Sequence, residues 1–377
     1  MSWNQVIGQE RAKAILRNSL RQGRLAHAYL LSGQEGVGQE PLALELARVL
    51  NCEQAGLEAC DTCRSCRSAA LLRHPNIHLI FPLPVGKNED TGDPPLAKLS
   101  DDELAAVREQ IALKAANPYR KIRVPRGNTI KINSIREIRR EASLTSFSEG
   151  MKVFIVLDAD EMSDESANAL LKTLEEPPGD TLIVLTTSHP DSLPPTILSR
   201  CQLIRCGPIS RAEIAAALES REGLPRADAE RIARNAEGSF ARALVLKDSG
   251  GDGRQEDILE FLATALSGTR RQILQSLEEF SAGLERPQIA DALQVLRSRL
   301  REAMLMREAR TDDSGDEVLR QIVGEHPEAD FAAAGRAVER SLSLLERNVY
   351  IPLILLNLVF ALREGIVHRA DPKPGRR

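Results

Sequence analysis

Apolar positions along the first half of the chain alternate between two spacings. From Val6 to Leu20, Ile7, Ala12, Ile15, Leu16 and Leu20 line one face of a predicted amphipathic helix whose other face is basic and polar. A short apolar run, "AYLLS", then predicts a strand, and "PLALELARVL" a helix ending near Leu50. The runs "NIHLIFPL", "KVFIVLDADEM" and "TLIVLTTS" predict further buried strands. Between the last two, "ESANALLKTLEE" carries an apolar stripe of Ala167, Leu170, Leu171 and Leu174 and is stopped by Pro177 and Pro178. Strands alternating with helices up to about Cys206 predict an α/β domain with a parallel sheet. Beyond Pro208 the strand signals fade and helices dominate, in two parts separated by the polar, Gly-rich "KDSGGDGRQED" near residue 250.

One stretch interrupts this alternation. Residues Pro82 to Pro95 read as a loop, followed by a charged helix, "SDDELAAVREQIALKAA", and core signals return only at Ile130 with "IKINSIREIRREAS". Residues 82–128 are therefore read as an insertion. In the C-terminal third, the stripe Ile289, Leu293, Leu296 and Leu300 and the run Ile351–Leu362 offer more apolar surface than a lone helix can hide. Packing within that domain is the first explanation, and contacts with partner subunits the second. The longest apolar run, Val349 to Leu362, is shorter than the roughly 20 residues a bilayer span needs and contains Asn357, so it reads as a buried helix. The tail "DPKPGRR" is expected to be disordered.

Composition narrows the function. A chain of 377 residues implies two or three domains. The start "MSWNQVIGQERAK" lacks an apolar segment with a cleavage site, which predicts a cytoplasmic protein. A net charge of −4 excludes nucleic-acid binding through a dominant positive field, so any DNA contact is expected to be local or shared with partners. Six cysteines are then expected as reduced thiols, and four of them cluster.

Cys52, Cys60, Cys63 and Cys66 form C-x7-C-x2-C-x2-C. Thiolates at this spacing can grip one tetrahedral zinc, and four sulfurs leave no position open for a substrate water, so the expected role is structural. The metal would organise "EQAGLEACDTCRSC", which has few apolar residues to bury. The alternative is a set of free thiols, with His74 in an unrelated contact. Cys201 and Cys206 are expected to be packing residues.

Between the first strand and its helix lies "GQEGVGQE". A phosphate-binding loop there would read G-x-x-x-x-G-K-[ST]. Gly33 and Gly38 have that spacing, but Gln39 stands at the lysine position and Glu40 at the hydroxyl position. Gln39 brings no charge, and Glu40 opposes an anion. Two like charges at ~4 Å repel by about 4 kcal/mol in a surface-like dielectric, a ceiling because a carboxylate can also ligate magnesium. An ordinary strand-to-helix turn, with glycines serving backbone geometry, accounts for the loop equally well.

In this order, "HAYLLSG", the four cysteines, "NALLKTLEEPP" and "LPPTILSRC" resemble the delta-prime subunits of bacterial DNA polymerase III clamp loaders, AAA+ proteins related to the tau/gamma ATPases. The resemblance covers residues 3–245 by motif, and the rest by length and helical character. It implies an AAA+ core at 1–207 with a zinc module at about 52–66, a helical lid at 208–250, an all-helical C-terminal collar at 251–366 and a disordered tail at 367–377. It also implies a hetero-pentamer with tau/gamma and delta subunits that opens the sliding clamp and places it on primed DNA. Delta-prime is the non-hydrolysing member of that ring.

Carried over motif by motif, the nucleotide site comprises Gly33, Gly36, Gly38, Gln39, Glu40, Asp158 and Thr187. Asp158 falls at the Walker B aspartate, followed by Ala159 instead of a catalytic glutamate, with Glu161 a weak substitute. Thr187, beside Ser188, falls at sensor 1. In "EGSFARAL", the sensor 2 arginine position holds Ala241, and Arg242 sits one step along and about 100° round the helix. These departures predict no ATP hydrolysis in this chain's own site. Arg200, framed by Ser199 and Cys201 after Pro194 and Pro195, is expected to aim outward and serve as an arginine finger in the neighbouring subunit's site. A local salt bridge is the competing reading.

Two other readings remain. One is an AAA+ ATPase with an atypical nucleotide site, discriminated by Gln39 and Glu40. The other is a zinc-dependent nucleic-acid-binding module, disfavoured by the net charge and by only 3% aromatic residues for base stacking. No carboxylate pair for nucleotidyl transfer is evident, so any polymerase activity would belong to the assembled complex.

Overall fold

The computed structural model describes residues 3–54, 56–144, 150–177, 179–248, 253–281, 284, 286–309, 317–346 and 349–367. Pro178 and the tail 371–377 lie outside them, as does part of the Gly-rich break near residue 250. The chain divides into two compact units, Met1–Leu244 and Val245–Arg377.

In the first unit, five strands form one parallel sheet: β1 (Ala28–Ser32), β2 (Ile77–Ile80), β3 (Lys152–Val156), β4 (Thr181–Thr187) and β5 (Gln202–Arg205), in the order β2-β3-β4-β1-β5. β1, β3 and β4 are buried along their whole length, as near-continuous apolar runs require of a parallel sheet covered on both faces. The helices up to β5 are α1 (Glu10–Arg21), α2 (Gln39–Leu50), α3 (Arg64–Ala70), α4 (Asp101–Ala116), α5 (Ile132–Ser143), α6 (Asp164–Glu175) and α7 (Pro195–Leu198). Three more follow: α8 (Arg211–Glu222), α9 (Arg226–Asn235) and α10 (Phe240–Asp248), which runs past the end of the first unit.

Helix boundaries follow local chemistry. α4 begins in a capping box, where Ser100 Oγ accepts the Glu103 amide and the Glu103 carboxylate accepts the Ser100 amide. α6 is capped by Ser163, and its stripe residues Ala167, Leu170 and Leu174 enter the core with Phe154, Ile183 and Ile197. α1 starts later than the periodicity predicts, at Glu10, because Gly8 (φ 59°) and Gln9 (φ 62°) take left-handed backbone and separate it from a short 3-10 turn at Trp3–Gln5.

The second unit contains helices and no strand among its described residues: α11 (Gly253–Ser267), α12 (Arg270–Ser281), α13 (Arg286–Ala309), α14 (Glu317–Glu325), α15 (Phe331–Glu346) and α16 (Ile351–Ile366). Ile289, Leu293, Leu296 and Leu300 of α13 are buried, as are Ile354, Leu355, Leu358, Val359 and Leu362 of α16. Arg363 ties α16 to the end of α11 by donating to the carbonyls of Leu266 and Gly268 at 3.2 and 3.3 Å. Leu353 and Phe360 remain exposed on α16, and no described helix is long and apolar enough to cross a membrane.

Candidate functional site: a glycine-rich loop, a cysteine cluster and an edge arginine

The loop after β1, the residues after β3 and the end of β4 meet at the C-terminal edge of the sheet, where α/β folds place their ligands. Gly33 donates to Thr187 O at 3.2 Å, which joins the loop to β4. Gly36 (φ 77°) and Gly38 (φ 121°) hold conformations that side-chain-bearing residues rarely adopt. A Cβ on Gly36 would come within 2.4 Å of Ala241 Cβ, so the start of α10 lies directly on the loop. The Phe240 amide donates to Gly36 O at 3.0 Å there.

The two residues at the lysine and hydroxyl positions are both engaged within the chain. Gln39 is buried, and its amide donates to Gly33 O at 2.5 Å and Gln34 O at 2.9 Å. Glu40 pairs with Lys114, a fully buried lysine from α4 that also donates to Arg120 O at 2.8 Å. The insertion thus supplies the cation that the loop lacks, aimed at a carboxylate.

A second lysine from the same insertion enters the pocket. Lys121 Nζ lies 3.3 Å from Glu35 on the loop and 3.4 Å from Asp158 beyond β3, while Arg123 approaches Glu35 at 3.8 Å. Burial opposes the charged form of Lys121, yet Asp158, Glu35 and Glu40 outweigh it and leave its pKa above the ordinary lysine value. Asp158, in left-handed backbone (φ 50°), is raised to about 6 by burial, against the pull of Lys121 and with a further push from Glu40 and Glu35. Tyr119, between these lysines in the sequence, is buried, and its hydroxyl accepts the Ile7 amide at 2.7 Å. Its ring meets Phe240 of α10 edge-on at 5.0 Å.

The other residues expected at a nucleotide site are also placed. Thr187, buried at the end of β4, donates its hydroxyl to Asp160 at 2.5 Å and accepts the His189 amide at 3.0 Å. Glu161 is exposed, and its carbonyl accepts the Ile130 amide at 2.9 Å. Arg242 pairs with Glu237 at 2.5 Å.

The four cysteines converge. Their sulfurs lie within 4.8 Å of one another, and Cys60 and Cys66 are 3.9 Å apart. A tetrahedral ion with metal–sulfur bonds of about 2.3 Å needs sulfurs about 3.8 Å apart, so the cluster fits a zinc module. Backbone amides of Cys60, Cys63 and Cys66 donate to the sulfurs of Cys52, Cys60 and Cys63 at 3.4, 3.4 and 3.2 Å. His74 stays outside the sulfur cluster and bonds Ser65 at 2.8 Å. The segment is stitched to the body through Trp3 Nε1, which donates to Leu57 O at 2.7 Å, and through Asn51, which accepts from Asn76 at 3.1 Å.

At the other edge of the domain, Arg200 is turned onto the chain rather than splayed outward. Its guanidinium donates to Glu175 at 2.6 Å, to Thr196 O at 2.9 Å and to Ser199 Oγ at 3.4 Å. Cys201 packs against the core, and burial pushes its thiol up to about 12; Cys206 is fully buried.

Sequence patterns left Lys114, Tyr119, Lys121, Asp160 and Gln9 unassigned. Gln9 donates to Val37 O at 2.9 Å and Gly207 O at 2.6 Å and accepts the Gly207 amide at 3.1 Å, tying the loop to the chain just after β5. For Lys114 a signal exists: it occupies the stripe Leu104, Val107, Ile111 of α4 where a further apolar residue would be expected. The others lack one, because their partners are distant in sequence.

A parallel sheet bearing a glycine-rich strand-to-helix loop at its C-terminal edge, with an aspartate beyond β3 and a threonine at the end of β4, defines an α/β protein with Gln39 where a phosphate-binding loop carries lysine. Residues 8–210, more than half of the chain, match the family described as DNA polymerase III, delta subunit, and the chain belongs to that family as a delta-prime-like member. Over 260 residues it is 30% identical to DNA polymerase III subunit delta-prime of Bacillus subtilis, spanning 66% of each chain. The Escherichia coli delta-prime is 30% identical over 267 residues, 70% of this chain and 67% of that one. The tau subunit of Escherichia coli is 34% identical over 260 residues, but only 33% of tau is spanned.

Proposed function

We propose that this chain is the non-hydrolysing, delta-prime-like subunit of a clamp loader in DNA replication, rigid in its own pocket and catalytic only in its neighbour's. The observation that carries this reading is the position of Gln39: where an ATPase needs an ammonium on the β/γ phosphates, this loop has an amide already spent on its own carbonyls. Its partners are then tau/gamma and delta subunits, acting together on a sliding clamp and primed DNA, with the collar of the second unit holding the ring. The four cysteines hold zinc, which cross-links residues 52–66 and performs no chemistry.

In this reading Arg200 acts in trans. Its guanidinium exchanges the exposed Glu175 carboxylate for the developing charge on the neighbour's γ-phosphate, while Ser199 and Cys201 fix the helix end that presents it. The test is Arg200→Ala in a loader reconstituted with tau/gamma and delta. Assembly is expected to be normal and DNA-stimulated ATP hydrolysis reduced; undiminished hydrolysis refutes the finger. Freshly purified protein is expected to carry one zinc per chain, and a ratio near zero refutes the metal assignment.

A further inference from the structure

We propose that residues 117–124, at the end of the insertion, are a resident occupant of the nucleotide pocket, holding the loop, the strand ends and the lid together as a bound nucleotide would in an active relative. The inference rests on the reading that this chain's own site is silent, and it adds a cause for the silence and for the rigidity.

The segment touches the loop, the residue beyond β3 and helices α8 and α10. Asn117 Nδ2 donates to Glu222 of α8 at 3.3 Å. Tyr119 takes the Ile7 amide, meets Phe240 of the lid and lies against Gly38, where an added Cβ would come within 3.3 Å of its hydroxyl. Lys121 then bridges Glu35 on the loop to Asp158 beyond β3. Ile122 and Val124 are buried behind it. The segment is itself braced: Arg120 O accepts from the buried Lys114, Asn117 O accepts the Arg120 amide at 3.0 Å, and Gln110 of α4 accepts the Arg123 amide at 3.0 Å.

Charge makes the fit specific. Glu35, Glu40 and Asp158 place three carboxylates around one pocket, an arrangement that repels a triphosphate and would repel itself. The Lys114, Lys121 and Arg123 cations answer them from the insertion. The carboxylates at the hydroxyl position and on the loop are thus half of an internal bond with the inserted segment, as well as the loss of a magnesium site. Because the occupant is part of the chain, it stabilises the arrangement it bridges without depending on any ligand concentration, ATP included.

The experiment uses the full chain and a fluorescent ADP analogue. Gln39→Lys alone restores the loop's charge but leaves the segment in place, and is expected to bind no tighter than the unaltered chain. Adding Tyr119→Ala and Asn117→Ala to it, which cut the segment's neutral anchors and keep every cation, is expected to raise affinity at least tenfold. Equal affinity for Gln39→Lys with and without the two segment changes overturns the proposal. Hydrogen–deuterium exchange gives an independent readout: Tyr119→Ala with Lys121→Ala is expected to speed exchange of the amides of residues 33–40 while leaving residues 60–66 unchanged. Unchanged exchange at 33–40 overturns the proposal. Hydrolysis of ATP by the unaltered chain would instead overturn the reading of a silent site, so the two failures are distinct.

Discussion

Lys114 and Arg200 are both cations held by a carboxylate, and they differ in what surrounds the pair. The Lys114 side chain is 1% exposed and its partner Glu40 18%, whereas Arg200 is 34% exposed and Glu175 50%. Water and salt compete freely for the second pair, so it is worth only about 0.2–1 kcal/mol and can be exchanged for another anion at little cost. Breaking the first strands a charge in a poorly solvated place, at about 3–5 kcal/mol. The comparison teaches which cation belongs to the architecture and which can change partners: depth fixes Lys114 in place, and exposure leaves Arg200 transferable.

Substitutions can break or sharpen that contrast. The largest effect is expected from Arg200→Ala in the reconstituted loader, where single-turnover hydrolysis at the neighbouring site should fall by about 10³-fold with thermal stability unchanged. A fall in melting temperature without a fall in rate would reverse the roles assigned to the two pairs. Lys114→Met should do the opposite, lowering the melting temperature of the isolated chain by ~10 °C and leaving neighbouring-site hydrolysis in surviving complexes intact. Glu175→Ala should do least: a change within about 1 kcal/mol in stability and no loss of hydrolysis, since Arg200 only has to leave this partner sooner. A stability loss as large as that of Lys114→Met would show that the edge pair is structural after all.

Much of the scaffold was legible in the chain because its signals are local. "AYLLS" became β1, the apolar runs after Lys152 and Thr181 became β3 and β4, and α6 ends at Glu175, just before Pro177, as proline geometry requires. The cysteines were legible for the same reason, since ligands two residues apart are close in any turn. The pocket's interior was not. Lys114 meets Glu40 across 74 positions and Lys121 meets Glu35 across 86, and helical periodicity cannot register a partner that distant. The charged pattern of α4 reads as a solvated helix, yet Val107 and Lys114 are buried because the insertion folds back onto the loop. Arg200 was visible as a residue but not in its pose, because the exposed Glu175 that holds it belongs to a helix 25 positions earlier.

The most direct measurement is phosphate release by the purified chain with saturating MgATP and no partner subunits. A pocket without an ammonium on its loop, already occupied by residues 117–124, releases none above background. Steady turnover by this chain alone, abolished by Asp158→Asn, would contradict both the silence of the pocket and the division of labour between Lys114 and Arg200.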